Sequence, residues 1–152
     1  MTDQKPLRLL AEEGDDLRII AAAVQDAVVK AGNLSYEKRK RRFAIELNRY
    51  RWETAPTRKG QPGERVRSLL AFDGVLGVRT RGITKTDPEL ILSLLSADFV
   101  ADMAEPPGGK VVLLFAGDGE IVLTVEALDA TLLDSDYMWP TRHVPSHERR
   151  KR

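Results

Sequence analysis

Cysteine is absent, and both histidines, His143 and His147, sit in the charged C-terminal stretch. No thiol nucleophile, disulfide framework or cysteine-based zinc site can be built. The body of the chain also lacks the side chain whose ordinary pKa lies nearest neutrality. No glycine-rich phosphate loop, dinucleotide fingerprint, Gly-x-Ser-x-Gly elbow or His-Glu-x-x-His helix occurs. The longest apolar run, Ile19 to Val24, falls far short of the ~20 residues that span a bilayer. Met1-Thr2-Asp3-Gln4-Lys5 is polar and leads into no apolar stretch of signal-peptide length, so the expectation is a cytoplasmic protein without membrane association.

What is present is the composition of an ordinary soluble domain, 42% hydrophobic and 31% charged over 152 residues. That length supports a core without disulfides or a structural metal. One globular domain is expected over residues 1–145, with a flexible basic tail over 146–152 that has nothing apolar to bury.

A net charge of +1 conceals segregation by sign. Residues 1–37 carry 4 basic and 7 acidic side chains, and residues 38–67 carry 11 and 3. Residues 68–137 then carry 4 and 12, and residues 138–152 carry 5 and 1. Such blocks either neutralise one another across neighbouring strands or leave one face attractive to anions.

Leu7 and Leu9 open with a short strand. A helix follows over about 15–26, with Asp15 or Asp16 placed to cap it and Leu17, Ile20, Ala21, Val24 and Val28 at helical spacing. From there the period is two. Val28–Tyr36 and Phe43–Trp52 flank the basic segment Glu37–Arg42 as a hairpin. Phe43, Ile45 and Leu47 share one face, whereas Tyr50 and Trp52 fall on the other parity, which predicts a bulge or sharp bend near Asn48–Arg49. Residues 54–63 have the composition of an exposed loop. Asp73-Gly74 is a hairpin signal, although Leu76, Val78 and Thr80 also fit the continuation of one long bent strand. Leu90–Val100 reads as a strand covered on both faces, with a short helix as the competing assignment. Val111–Phe115 and Ile121–Leu133 form the clearest hairpin, with a second bulge expected near Ala127. The alternation stops at Tyr137, and Trp139-Pro140 is placed to anchor the domain's end. The fold class is α+β, mainly β: an antiparallel sheet curled into a sandwich or partial barrel, with one N-terminal helix.

Several short pieces resemble a bacterial family catalogued only as a domain of unknown function, DUF2948. They include Gln25-Asp26-Ala27, Arg41-Arg42-Phe43-Ala44, Asn48-Arg49-Tyr50-Arg51-Trp52-Glu53, Val78-Arg79, Arg81-Gly82-Ile83, Leu92-Ser93-Leu94-Leu95, Phe115-Ala116-Gly117 and Val125-Glu126. Their order and spacing over residues 7–147 carry the resemblance. It implies no activity, substrate or cofactor, and no site residue follows from it.

The candidate sites therefore come from the residues alone. Lys38, Arg39, Lys40, Arg41 and Arg42 are five consecutive cations at a hairpin tip, available to a protein partner or a polyanion. Arg49 and Arg51 alternate with Tyr50 and Trp52, a pattern that holds phosphates or stacks on bases. The plainer reading buries the aromatics and pairs an arginine with Glu53 or with a carboxylate on an adjacent strand. Asp118, Glu120, Glu126, Asp129, Asp134 and Asp136 offer carboxylates for acid-base work, but their turn and alternate positions suit a solvated face. His143 and His147 have the spacing of one helix face, which Pro145 between them opposes. No cofactor and no metal is expected. The expected function is a non-enzymatic interaction module binding a macromolecular partner through its basic tip. The alternatives are a nucleic-acid or ribosome-associated accessory protein, and an enzyme built on carboxylates.

Overall fold

Period-two alternation governs nearly everything after the helix, and the backbone follows it. In the computed structural model, which describes residues 6–56, 60–83 and 87–145, the chain runs β1 (Arg8–Ala11), α1 (Gly14–Ala23), β2 (Val28–Lys30), β3 (Leu34–Glu37), β4 (Arg42–Tyr50), β5 (Gly63–Phe72), β6 (Val75–Arg81), β7 (Ile91–Ala101), β8 (Gly109–Phe115), β9 (Glu120–Val125) and β10 (Ala130–Thr141). The pairings are antiparallel, in the order β1-β10-β5-β4-β2-β7-β8-β9-β6, with β3 alongside β4. The sheet curls but does not close, and β1 and β6 are its two ends. The expected tail, 146–152, lies outside the described residues, as does His147.

One core fills the curl. Phe43, Ile45, Leu47, Leu70, Phe72 and Leu132 from β4, β5 and β10 meet Leu92, Leu94, Val111, Leu113, Ile121 and Leu123 from β7, β8 and β9. Alternate residues of each strand point inward because successive Cβ atoms leave opposite faces of the pleat. The helix packs on β1 and β7 and contributes Leu17, Ile20 and Val24 to the core.

Several local expectations are corrected. The helix ends at Ala23 rather than near residue 26, because Asp26 turns the chain at a left-handed φ of 62°. Its N-cap is Glu13, without a side-chain cap, and Asp15 and Asp16 lie in the first turn, where they favour the positive end of the helix dipole. The stretch 28–36 is two strands split by a 3-10 turn at Ala31–Asn33. No bulge occurs at Asn48–Arg49: β4 stays in register with β5 from Phe43 through Tyr50. The break near Ala127 is a corner between β9 and β10 rather than a bulge. The irregularity in β10 lies instead between Asp134 and Met138 against β5. Beyond it the strand continues to Thr141, past Tyr137, and Trp139 pairs with Arg65.

Asp73-Gly74 is not a hairpin turn. β5 pairs with β4 and β10, while β6 pairs with β9, so the two-residue link carries the chain from one half of the sheet to the other. Gly74 has φ 71° there, a conformation natural to glycine. The Leu90–Val100 stretch is strand β7 rather than a helix, but it is not covered on both faces: Leu92, Leu94 and Ala97 are buried, whereas Ile91 and Val100 are exposed.

Leu17 and Ile20 are fully buried. Replacing either with Ala should lower unfolding free energy by about 2–5 kcal/mol, measured by urea denaturation. An unchanged midpoint for both variants would show that the helix does not seat on the sheet.

Candidate functional site

The structure separates the sequence candidates into two groups. Arg49 and Arg51 turn into the protein, and the run Lys38–Arg42 stays on its surface.

Arg49 continues the inward face of β4 two residues after Leu47. Its side chain is fully buried. The Arg49 guanidinium donates from Nε to Asp134 Oδ1 at 2.9 Å and from Nη2 to Asp134 Oδ2 at 2.7 Å. It donates again to Glu53, from Nη1 to Oε1 at 3.0 Å and from Nη2 to Oε2 at 2.6 Å. Both carboxylates are thus gripped by two parallel bonds, the geometry in which a planar guanidinium binds most strongly. Asp134 also accepts from Ser68 Oγ at 2.7 Å and from the Leu7 amide at 2.9 Å. One carboxylate therefore links β4, β5 and β10 to the residue before β1. The plainer reading, which pairs an arginine with Glu53 or with a carboxylate on an adjacent strand, holds for Arg49 and Glu53, whereas Asp134 stands on β10, with β5 between it and β4. Asp134, expected on a solvated face, instead has a fully buried side chain.

Burial alone would push the Asp134 carboxyl upward, but the hydrogen bonds from Arg49, Ser68 and Leu7 outweigh it and hold it below its ordinary range. Glu53 follows the same logic: partial burial raises it, and its bonds with Arg49 bring it below its usual value. For Arg49, desolvation works against the charge, and the two carboxylates more than restore it. The cluster is a charged triad at neutral pH.

Arg51 is buried beside it and donates from Nη1 to Glu64 Oε1 at 2.7 Å. Tyr50 lies on the other face of β4, fully buried, with its ring edge-on to Trp52 at 4.8 Å between centroids. Gly63 sits against the Tyr50 ring so closely that a Cβ there would collide with it. The Trp52 indole N–H donates to the Gln25 carbonyl at 3.4 Å. The alternating arginines and aromatics therefore pack against their own fold rather than forming an outward platform.

The basic run takes the opposite disposition. Lys38–Lys40 form a 3-10 turn, Arg41 adopts the left-handed conformation at φ 54°, and Arg42 begins β4. The Arg41 carbonyl accepts from the Val75 amide at 2.8 Å, and its guanidinium bonds Glu126 at 3.0 Å. Arg42 lies 3.6 Å from Asp73, and Lys40 lies 3.4 Å from Glu37. Lys38 and Arg39 are exposed and have no ion-pair partner among the described residues. The tip is thus docked on the two acidic corners of the sheet by its last two cations, with its first cations facing solvent.

Sequence reasoning missed Ser68 and mistook the setting of Asp134, although a signal for both was present. Val66, Ser68, Leu70 and Phe72 share one parity, as do Ala130, Leu132 and Asp134, and so do Phe43, Ile45, Leu47 and Arg49. Carrying each series one step further places a cation, a hydroxyl and an anion in one inward layer. His143 is exposed, and among the described residues no group of three or more His, Asp or Glu is arranged to hold a metal ion. No described helix is long and apolar enough to cross a membrane.

The profile of a family described as "Protein of unknown function (DUF2948)" matches residues 7–147, and the chain belongs to that family. No curated protein and no solved structure matches it.

The burial of the triad can be probed by substitution and by acid. Arg49→Met should destabilise by about 3–5 kcal/mol because it leaves the Asp134 carboxylate buried without its cation. The double variant Arg49→Met/Asp134→Leu should cost much less than the sum of the two single changes, and strict additivity in denaturant titrations would show that the pair is not coupled. As for acid, both carboxyls ionise below the ordinary values of about 3.9 for Asp and 4.3 for Glu, so the unfolded chain takes up their protons first. Their stabilisation is complete above that range and is lost as pH falls through the depressed folded values. The parent's melting temperature should therefore drop more steeply toward low pH than that of the double variant, and parallel curves would remove the triad from the acid limit.

Proposed function

We propose that this member of the DUF2948 family is a non-enzymatic interaction module that docks on a macromolecular partner through the tip Lys38–Arg42. The observation that carries this reading is how the tip is held. Arg41 and Arg42 are tied to Glu126 and Asp73, and the backbone of Arg41 is bonded to Val75. Lys38 and Arg39 are thereby presented from a short, fixed turn. Cations whose backbone is already ordered lose less conformational freedom when they meet an anionic surface.

The buried triad supports the same reading from the other direction. Asp134 and Glu53 are ionised and bound to Arg49, so neither is a proton donor poised near neutral pH. Arg49 and Arg51 are committed to internal carboxylates, so of the two basic segments the tip is the one left to meet a partner. A protein surface rich in carboxylates and a nucleic-acid backbone both fit its charge, and salt separates them.

Changing Lys38, Arg39 and Lys40 together to Gln should leave the denaturation midpoint nearly unchanged, since exposed charges contribute little to folding. Retention on heparin should weaken. If the partner is nucleic acid, RNA binding by the variant should also show a salt slope smaller by about 0.7–0.9 for each phosphate that the tip no longer neutralises. Equal retention of variant and parent on heparin would sink the tip as a binding surface.

A further inference from the structure

The curled sheet leaves a seam where it fails to close. Among the described residues β3 pairs only with β4, and β6 pairs only with β9, so each carries one unpaired edge. Residues of both strands line a common cleft of about 450 Å³. At one end the Tyr36 hydroxyl donates to the Val75 carbonyl at 2.9 Å. At the other, the Gly32 amide donates to the Pro88 carbonyl at 2.9 Å, with Ile83 close by. Between these ends most Cα atoms of β3 and β6 are more than 8 Å apart. Neighbouring strands lie about 4.8 Å apart, so strands separated in this way are not hydrogen-bonded to each other, and a strand inserted between them would need roughly twice that spacing.

The lining of the cleft is mainly apolar, with Ser35 and Thr80 as its polar members. Leu34, Tyr36, Phe43, Val78, Ile83 and Ile121 line it, and the partly buried ones among them pack on the core. The outward-facing positions of β6 are cationic instead. Arg79 is exposed with no ion-pair partner among the described residues, and Arg81 is largely exposed at 3.5 Å from Glu120. Lys38 and Arg39 stand at the Tyr36 end.

We infer that the seam between β3 and β6 accepts an extended polypeptide segment of a partner protein, with apolar and acidic side chains in alternation, as an added strand. Every second residue of an edge strand directs its N–H and C=O outward, and an inserted strand would satisfy both edges at once, the main-chain pairing used in strand addition. Its inward side chains would cover Leu34, Tyr36 and Val78, and its outward carboxylates would lie opposite Arg79 and Arg81 as cross-strand pairs. This deepens the interaction-module reading by naming the chemistry of the partner, and it relies on a surface adjoining the tip rather than on the tip itself.

The test uses the full chain and a capped synthetic peptide of about ten residues alternating Val and Glu, long enough for one strand. Hydrogen exchange of the amides in 34–37 and 76–81 should slow by about tenfold or more when the peptide is bound, because exchange reports local opening. Arg79→Glu, on the exposed face of β6, should weaken peptide binding by about tenfold while leaving heparin retention through the tip unchanged. A peptide alternating Val and Lys should not bind. Protection of residues 38–42 alone, equal binding by Arg79→Glu, or no binding by a parent chain that heparin still retains would each overturn the seam, and the last leaves the tip reading standing. Protection of both strands in the Lys38→Gln/Arg39→Gln/Lys40→Gln variant would keep the seam even if the tip reading failed.

Discussion

A buried arginine is the constraint around which the β1-β10-β5-β4 half of the sheet is organised. Arg49 sits where the inward face of β4 would otherwise carry another leucine or isoleucine. Its charge can remain there only because Asp134 and Glu53 take up four of the fork's five donors, with the Tyr50 carbonyl accepting from the fifth, and because Ser68 and the Leu7 amide share the rest of Asp134. A hydrophobic substitute could have given equal stability. What the ionic layer adds is geometry: β4, β5 and β10 must hold one register for the fork to meet both carboxylates, and the start of β1 is fastened to the same point. Register slippage, already costly because it turns core side chains to the other face, here also strands a buried charge.

The need to pair opposite charges also explains their segregation along the chain. The basic block 38–67 and the acidic block 68–137 are brought together by folding: Arg41 to Glu126, Arg42 to Asp73 and Arg49 to Asp134. Both long-range neutralisation and a local cationic surface are therefore present, at different residues of one run. Exposure divides them. The pairs at Arg41 and Arg42 are half-exposed and contribute little energy, but they fix the direction in which Lys38 and Arg39 point.

Curling without closure links the tip to the seam. The link Asp73-Gly74 redirects the chain from β5 to β6, and the Arg41 carbonyl receives Val75 at that corner. The last strand of the sheet thus begins against the basic tip and shares a cleft with β3 without pairing with it. Exposed strand edges are usually blunted by charge or cover. Here the outward face of β6 carries arginines, while the cleft beside it remains mainly apolar, a combination that discourages indiscriminate pairing and favours an acidic strand.

The period-two runs, the position of the helix, the basic hairpin tip and the β8–β9 hairpin were legible in the sequence, because alternation and turn chemistry are local properties of consecutive residues. So, as one of the alternatives left open, was the pairing of an arginine of this stretch with Glu53, which Arg49 makes four residues along the chain. Asn48–Arg49 misleads because hydrophobicity alone is a false guide to parity there: Arg49 keeps the inward position, and Tyr50 is buried on the opposite face under Gly63. Asp134 misleads in the same way. Whether a charged residue at an inward position is buried depends on a partner 85 positions away in the chain, and no local pattern contains that partner. The sequence by itself determined which residues alternate, where the chain turns and where its cations cluster. Tertiary structure alone decided which of those cations are neutralised, which strand edges remain open and which corner faces which, because each depends on contacts that exist only once the sheet has curled.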